Sequence, residues 1–259
     1  MDLGIKGKKA LVCASSQGLG LACATALARE GAIVTLNGRQ QKRLEQAANT
    51  IAENTGAQVS WVVGDLTTEE GRSAIFAACP DADILVNNNA GPKPGTFQDW
   101  DHDVWVGALE QNMLAPVLMI HKLLPGMRER KFGRIVNITS AMVKAPRPHQ
   151  GLSTAARTGL TAVCKAISKE TVKDNVTINN LLPERIDTPR TKYLAERMAQ
   201  EQGISYEDAR ARITATIPAG RLGTPEEFAD ACAFLCSVQA GYICGQNLQL
   251  DGGAYPGLI

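Results

Sequence analysis

The turn at positions 13–20 has a composition suited to phosphate binding, since it reads Cys-Ala-Ser-Ser-Gln-Gly-Leu-Gly. Glycine allows backbone N–H groups to come close to a ligand, and the N-terminus of a following helix attracts an anion. Two glycines alone are weak evidence, because many strand–helix turns need glycine for steric reasons. A strand pattern before the turn and a helical pattern after it favour the functional interpretation. We predict that Gly18, Leu19 and Gly20 contact the diphosphate of a dinucleotide.

Arg39 follows the second predicted strand, nineteen residues after Gly20. At this position an acidic side chain would bind a ribose 2′-hydroxyl group, whereas an arginine matches a 2′-phosphate. Arg39 therefore favours NADP(H) over NAD(H) as the cofactor, with Ser15, Ser16 and Gln17 as further contacts. The alternative is an arginine that is only a solvated loop side chain.

The elements that position these residues alternate between short β-branched runs and longer segments of helical period. Strands are predicted over 9–14, 32–37, 59–63, 83–87, 134–140, 176–182 and 246–250. Helices are predicted over 18–30, 40–54, 68–79, 102–131, 153–173 and 225–237. Alternation requires crossover connections, and continuously apolar strands indicate burial on both faces. We predict an α/β fold: a single doubly wound Rossmann-type domain over 1–259, with a seven-stranded parallel sheet.

Residues 190–217 interrupt this alternation, because they are polar and charged and lie between two predicted strands. The segment could be a surface helical insertion or a mobile lid. Its position after the sixth strand, at the carboxyl edge of the sheet, favours a lid over the substrate site.

The composition restricts the partners and the location of the protein. The chain has 259 residues and a net charge of +1, which provides no broad field for nucleic acid or an anionic membrane. Its apolar runs are too short to span a bilayer, and its start lacks a secretory pattern. Seven scattered cysteines without a Cys-x-x-Cys pair indicate neither a disulfide framework nor a metal site. We expect a cytoplasmic protein that acts on a small molecule, with no metal.

Further blocks follow in order along the chain: Asn88-Asn89-Ala90-Gly91 and residues 133–140, 221–227 and 251–253. Together with the turn at 13–20, they resemble the short-chain dehydrogenase/reductases, particularly the branch of 3-oxoacyl-ACP reductases. The resemblance covers essentially the whole chain and implies an NAD(P)-dependent oxidoreductase. Relatives usually form homotetramers through the helices that match 102–131 and 153–173, so the resemblance implies a homotetramer here.

The same resemblance implies roles for individual residues. The implied cofactor contacts are Asp65, Leu66, Asn89, Gly91, Arg157, Ile186 and Thr188. Asn112 matches the asparagine of the family's active-site helix, and Ser140 matches the serine that polarises the substrate oxygen.

The family's catalytic Tyr-x-x-x-Lys motif is absent. Thirteen residues after Ser140, its positions hold Ser153 and Arg157, and none of the four tyrosines is near. Hydride addition to a carbonyl leaves an alkoxide that needs a proton, which a phenol beside a cation supplies. Arg157 keeps the positive charge and can still bind ribose hydroxyls, but guanidinium does not release its proton at ordinary pH. The catalytic residues are therefore Ser140, Ser153, Arg157 and Asn112, with an unusual proton source.

Three groups could replace the missing phenol. Water held by Ser140 and Ser153 is the preferred candidate. His149, in the loop before Ser153, could act with an ordinary imidazole pKa. Tyr193, in the segment 190–217, could reach the substrate when that segment closes.

Two smaller departures from the family pattern concern the cofactor site. Ala14 replaces a glycine of the first turn, which predicts a negative φ at that position. Glu184 replaces a glycine after the sixth strand, and we expect its carboxylate to repel a phosphate-bearing ligand or to pair with Arg185 or Arg157.

These observations favour an oxidoreductase that transfers a hydride between NADP(H) or NAD(H) and a carbonyl or alcohol, with a 3-oxoacyl-like substrate as one option. The first alternative is a non-catalytic NAD(P)-binding sensor or scaffold, because the usual proton donor is missing. A lyase similar to the halohydrin dehalogenases ranks last. Those enzymes have arginine at the lysine position but keep the tyrosine and block the nucleotide pocket.

Overall fold

The computed structural model describes residues 1–258, and seven strands within them form one parallel sheet. The strands are β1 Lys9–Val12, β2 Ile33–Gly38, β3 Val59–Val63, β4 Ile84–Asn87, β5 Gly133–Ile138, β6 Val176–Pro183 and β7 Asn247–Leu250. Their order is β3-β2-β1-β4-β5-β6-β7, so the direction of strand addition reverses between β1 and β4. This confirms the predicted doubly wound, seven-stranded sheet and places a binding crevice outside the carboxyl ends of β1 and β4.

The helices agree with the predicted segments except over 102–131, and two further helices lie largely in the segment 190–217, for which no helix bounds were predicted. They are α1 Gly18–Arg29, α2 Gln41–Thr55, α3 Glu69–Ala78, α4 His102–Leu109, α5 Ala115–Glu129, α6 Gly151–Thr171, α7 Pro189–Gln202, α8 Tyr206–Ala215 and α9 Pro225–Cys236. Among these helices, none is long and apolar enough to cross a bilayer.

The continuous helix predicted over 102–131 is wrong, because a π-helical turn, Glu110–Leu114, separates α4 from α5. Pro116 lies at the start of α5 and has no N–H group, so it cannot donate to the Asn112 carbonyl four residues earlier. The lost α-helical bond gives a physical reason for the wider turn. Asn112 therefore lies on a local widening of the helix and is buried.

Both faces of the sheet are covered, as the continuously apolar strands predicted. In β1, Ala10 and Val12 join the core beneath α1, α2 and α9, whereas Leu11 joins the core beneath α3, α5 and α6. Successive side chains of a strand point to opposite faces, so one strand contributes to both cores. The sheet is thus buried on both faces, and the site lies at the carboxyl ends of its strands.

Four asparagines form a hydrogen-bonded ladder across the carboxyl half of the sheet. Asn87 donates to Asn137 at 2.9 Å, Asn137 donates to Asn180 at 2.9 Å, and Asn180 donates to Asn247 at 2.8 Å. The same residues are directly paired in the registers of β4 with β5, β5 with β6, and β6 with β7. Since a one-residue slip would turn these amides towards the opposite, apolar core, the ladder specifies the register.

Helices α7 and α8 form a hairpin that has its own small core of Ala195, Ala209 and Ile213 with Ile217 and Leu222. The hairpin contains the segment 190–217 that interrupted the strand–helix alternation. Arg210 anchors it through two hydrogen bonds, of 2.9 and 3.1 Å, to the Asp187 carboxylate. Its role as a lid stays a prediction.

Candidate active site

A cleft of about 760 Å³ opens at the carboxyl edge of the sheet, over the point where strand addition reverses. It is lined by most of the residues that the sequence predicts for the site: Ser16, Gln17, Gly18, Leu19, Arg39, Asp65, Leu66, Asn89, Gly91, Ser140, Ser153, Arg157, Ile186 and Thr188. Three predicted residues, Ser15, Gly20 and Asn112, lie behind this lining. The fold therefore brings together side chains that are far apart in the sequence.

The turn after β1 presents the N-terminus of α1 to the cleft. Gln17 precedes the helix, but its side chain does not cap it, so the N–H groups of the first turn have no described side-chain acceptor. Gly18 has φ +59°, and a Cβ there would meet no atom within 4 Å on the cleft side. An uncapped helix start beside open space is suited to an anionic group.

Ser15 and Gly20 stabilise this turn from within the protein and do not line the cleft. The Ser15 hydroxyl is fully buried and donates to the Val12 carbonyl at 2.7 Å while it accepts the Asn37 N–H. The Ser15 hydroxyl group therefore makes its hydrogen bonds within the protein, whereas the sequence predicted that Ser15 contacts the cofactor. A Cβ on Gly20 would lie 2.5 Å from the Ala14 carbonyl oxygen, so this position requires glycine for packing.

Ala14 adopts φ +44°, so the expectation of a negative φ at this position is wrong. The chain must turn sharply here, since the Ser15 N–H bonds to the Asn37 carbonyl at 2.8 Å and Asn88 donates to the Ala14 carbonyl at 3.1 Å. These bonds hold an alanine in a region that costs L-residues about 1–2 kcal/mol.

Replacing Ala14 with glycine is expected to stabilise the protein by about 1 kcal/mol, because glycine adopts this φ without strain. The melting temperature should rise by about 2–4 °C. The matched control is Ala22→Gly in the middle of α1, which should lower it through lost helix propensity. Equal destabilisation by both substitutions would contradict the proposed strain at Ala14.

The end of the cleft near β2 and β3 carries two arginines. The Arg39 side chain is 67% exposed, and its Nη1 lies 3.8 Å from Asp65 Oδ2. Arg43 on α2 donates to Gln17 Oε1 at 3.2 Å and also lines the cleft. The pKa of Asp65 is held below its ordinary value, mainly by the Thr67 backbone N–H and further by the Thr67 hydroxyl and Arg39. Sequence reasoning missed Arg43 as a site residue, although Arg43 lies four residues after Arg39 and within the helix predicted over 40–54.

Ser140 and Ser153 face the opposite end of the cleft. Ser140 follows β5, and its Oγ accepts the Met142 N–H at 3.2 Å, so its own hydroxyl hydrogen is not used in that bond. Ser153 Oγ accepts a 2.5 Å hydrogen bond from Arg157 Nη1, one helical turn further along α6. Both hydroxyl groups therefore keep a donor for a ligand.

Arg157 is a buried cation, with only 8% of its surface exposed. Burial, and in second place the positive charge of Arg190, lower the pKa of its guanidinium to about 10. Among the described residues, Ser153 is its one side-chain hydrogen-bond partner, and no carboxylate pairs with it. Gly91 packs against the guanidinium, since a Cβ there would be in van der Waals contact with Nη1 at 3.4 Å.

A small second cavity of about 20 Å³ lies between Arg157 and the π-helical turn. Asn112, Gln111 and Asn89 contribute polar atoms to its wall, and Asn89 donates to the Gln111 carbonyl at 3.1 Å. This volume accommodates one water molecule with several polar partners. Asn112 thus lines this small cavity together with Arg157 and does not line the main cleft.

The comparison with known families decides how this geometry is classified. A family model described as enoyl-(acyl carrier protein) reductase matches residues 13–255. The chain belongs to the short-chain dehydrogenase/reductase family. The resemblance inferred from the sequence is therefore confirmed.

Curated short-chain dehydrogenase/reductases match along almost their whole length. The NADPH-dependent reductase BacG of Bacillus subtilis is 31% identical over 252 residues, 95% of this chain and 97% of its own. The 3-oxoacyl-[acyl-carrier-protein] reductase FabG of Vibrio cholerae is 31% identical over 253 residues, 98% of this chain and 99% of its own. Among solved structures, L-sorbose reductase from Gluconobacter frateurii, complexed with NADPH and L-sorbose, is 33% identical, with a TM-score of 0.94 and complete coverage of both chains.

Within this short-chain dehydrogenase/reductase, the three candidates for the proton source are placed differently. Tyr193 of α7 lines the cleft, although its side chain is half-exposed. His149 is exposed and is not part of the cleft wall. The small cavity beside Arg157 offers a position for water. The geometry therefore favours water or Tyr193 over His149.

The Glu184 carboxylate pairs with Arg147, so the expected pairing with Arg185 or Arg157 is wrong. Arg147 lies in the loop between β5 and α6, and the two residues meet across the mouth of the cleft, which sequence spacing could not show. Arg185 instead adopts φ +58°, and its Nε atom is buried without a hydrogen-bond partner. Arg190, at the start of α7, also lines the cleft. Sequence reasoning missed this group of arginines as site residues.

Proposed function

We propose that this short-chain dehydrogenase/reductase is an NADP(H)-dependent enzyme that interconverts a carbonyl compound and an alcohol. The observation that carries the proposal is the arrangement of one cleft, in which an uncapped helix start, two exposed arginines and two free serine hydroxyls face the same space. BacG is described as an NADPH-dependent reductase and L-sorbose reductase was solved in complex with NADPH, which supports the choice of cofactor.

The residues of the cleft fit such a cofactor. The N–H groups at Gly18 and Leu19 would bind the diphosphate, and Arg39 with Arg43 would bind a 2′-phosphate. Asp65, Leu66, Asn89 and Gly91 would line the adenine and ribose, and Ile186 and Thr188 the carboxamide. Arg157 would donate to the hydroxyls of the nicotinamide ribose, because its Nη2 has no described partner.

The chain's own residues then act on the substrate oxygen. NADPH, when bound, would supply a hydride for the carbonyl carbon. Ser140 and Ser153 donate hydrogen bonds to the oxygen while it gains negative charge, and the positive Arg157 stabilises that charge through Ser153. One proton must be added to the oxygen, and we propose that it comes from water relayed through Ser153. Water in the small cavity between Asn112 and Arg157 would extend this relay, and solvent would return the proton that the relay gives up.

The test combines cofactor binding with turnover. NADPH should raise the melting temperature more than NADH, because only the former offers a 2′-phosphate to Arg39 and Arg43. With NADPH, a panel of ketones, β-keto esters and sugars should include compounds that are reduced, and Ser140→Ala should lower kcat for them about 10²-fold. A larger shift with NADH, or turnover indifferent to Ser140→Ala, would contradict the proposal.

A second candidate is a cofactor-binding sensor or scaffold without turnover. The observation that favours it is the pair Ser153 and Arg157, which places no phenol beside the nicotinamide end of the cleft. Tight NADPH binding together with no reduction of any panel compound would support this candidate.

We also propose a cytoplasmic homotetramer formed through the helices that match 102–131 and 153–173. The first of these segments carries exposed apolar side chains, which supports a contact between subunits there. These side chains are Val104, Val106, Leu114 and Leu118. The segment 190–217 would act as a lid, since Tyr193 and Leu194 already line the cleft.

A further inference from the structure

The substrate end of the cleft has a strong excess of positive charge. Five basic residues line it, Lys93, Arg147, Arg157, Arg185 and Arg190, whereas Glu184 is the single acidic residue there among those that the structure describes. The net charge of the whole chain is only +1, so this excess is local. Such a concentration of one sign in a concave site attracts ligands of the opposite sign.

Three of these arginines, Arg157, Arg185 and Arg190, lack a carboxylate partner within the described residues, and Arg157 donates to Ser153 instead. Glu184 is already paired with Arg147. The Nε atom of Arg185 is buried without a hydrogen bond, and Arg190 makes only a long 3.4 Å bond to the Pro92 carbonyl. A buried guanidinium N–H without an acceptor is costly, which indicates that a ligand supplies the acceptor.

Arginines elsewhere in the chain are mostly paired. Arg197 bonds to Glu201 at 2.6 Å on the outer side of α7, and Arg210 bonds to Asp187 through both terminal nitrogens. Arg128 and Arg221 likewise contact carboxylates. Arg134 and Arg212 also lack a carboxylate, but Arg134 donates to the backbone carbonyls of Ser237 and Asn175 and Arg212 donates to Gln202 Oε1 at 2.6 Å. Arginines with neither a carboxylate nor another short hydrogen bond are thus concentrated at the cleft.

Like charges also face one another across the cleft. The positive charge of Arg190 contributes, after burial, to the lowered pKa of Arg157, and that of Arg147 contributes, after burial, to the lowered pKa of Arg185. Repulsion of this kind is relieved when an anion binds between the cations. The cofactor's phosphates would bind at the other end, beside α1 and Arg39.

We propose that Arg185 and Arg190 bind an anionic group of the substrate, a carboxylate or a phosphate, while its carbonyl oxygen lies at Ser140. Both groups match the planar fork of guanidinium, which can donate two parallel hydrogen bonds. The inference rests on the proposed reductase function and names its substrate class as small oxo acids or oxo phosphates.

The test compares matched charged and neutral substrates with NADPH. Acetoacetate and longer 2-oxo and 3-oxo acids are compared with their methyl esters, and dihydroxyacetone phosphate with dihydroxyacetone. In one series, kcat/KM for the charged compound should be at least tenfold higher than for its neutral counterpart. An effect in the oxo acid series would identify the anionic group as a carboxylate, and an effect in the dihydroxyacetone pair would identify it as a phosphate. Equal kcat/KM values for charged and neutral members would overturn the inference but leave the reductase function in place.

Substitutions on one helix provide the matched control. Arg190→Gln should raise KM for the charged substrate about tenfold and leave KM for its neutral partner unchanged. Arg197→Gln, on the same helix but outside the cleft, should change neither. If Arg190→Gln instead weakens NADPH binding and affects both substrates equally, Arg190 binds the cofactor and the inference is wrong.

A binding measurement separates this inference from the reductase function. The protein saturated with NADP⁺ is titrated with each acid and its ester, and the melting temperature is recorded. Stabilisation by the acid alone, lost in Arg185→Gln and Arg190→Gln, would support the anion site even if no compound is reduced. Equal shifts by acid and ester would overturn it.

Discussion

Replacing Ser153 with Tyr and Arg157 with Lys together is expected to raise the turnover of simple ketones by about 10²–10³-fold. A phenol placed beside an ammonium group supplies the general acid that a serine hydroxyl cannot, and such catalysis contributes about 10²–10⁴-fold. Ser153 lines the cleft and is only partly buried, so the larger ring has space on that side. The measurement is kcat for NADPH oxidation with neutral ketones.

The control for this pair is Ser153→Phe with Arg157→Lys, which fills the same space without a hydroxyl group. It should show no gain, because it can neither donate a proton nor retain the Ser153 hydrogen bond. A gain of similar size in both double variants would indicate that the cleft was simply too wide. No gain in either, with NADPH still bound, would show that the proton already comes from an efficient source.

Replacing Arg157 with methionine is expected to change stability and activity in opposite directions. The Arg157 pKa of about 10, against an ordinary 12.5, corresponds to roughly 3 kcal/mol against the charged folded form. Removing the buried charge should therefore stabilise the cofactor-free protein by about 1–3 kcal/mol. kcat/KM should fall about 10²-fold, since the positive charge behind Ser153 is lost. Melting temperature and steady-state kinetics measure the two effects.

The pH dependence of stability gives an independent check. Between pH 10 and pH 12.5 the unfolded chain retains the Arg157 proton while the folded protein releases it, so this residue's destabilising contribution decreases as pH rises through 10. The stability difference between Arg157→Met and the natural protein should therefore shrink above pH 10. A less stable Arg157→Met protein at neutral pH would contradict the argument.

Sequence periodicity predicted the architecture well because local patterns determine it. All seven strands were placed within about two residues of their observed ends, since burial on both faces produces continuous apolar runs. The break at Glu110–Leu114 was missed because the apolar spacing around it remains helical, although Pro116 was a visible signal. The asparagine ladder was also missed, since strand register depends on pairs far apart in the chain.

The site was predicted least well where it depends on tertiary contacts. The turn and Arg39 could be inferred because strand–turn–helix context determines where they lie. The partner of Glu184 could not be, because Arg147 comes from a loop 37 residues earlier. The φ of Ala14 follows from hydrogen bonds to Asn37 and Asn88, which no local pattern shows. The burial of Arg157 is likewise a product of packing between α6 and the loop that contains Gly91.

The asparagine ladder has a consequence for how this family member can diverge. Three of the four amides donate in the same direction, from Asn87 towards Asn247, so the relative positions of four strands are fixed near their carboxyl ends. Reactive side chains in the loops that follow these strands can therefore be substituted while the register of the sheet stays the same. The residues that fix the register of the sheet are thus separate from Ser140, Ser153 and Arg157, so substitutions at the cleft would leave the strand pairing unchanged.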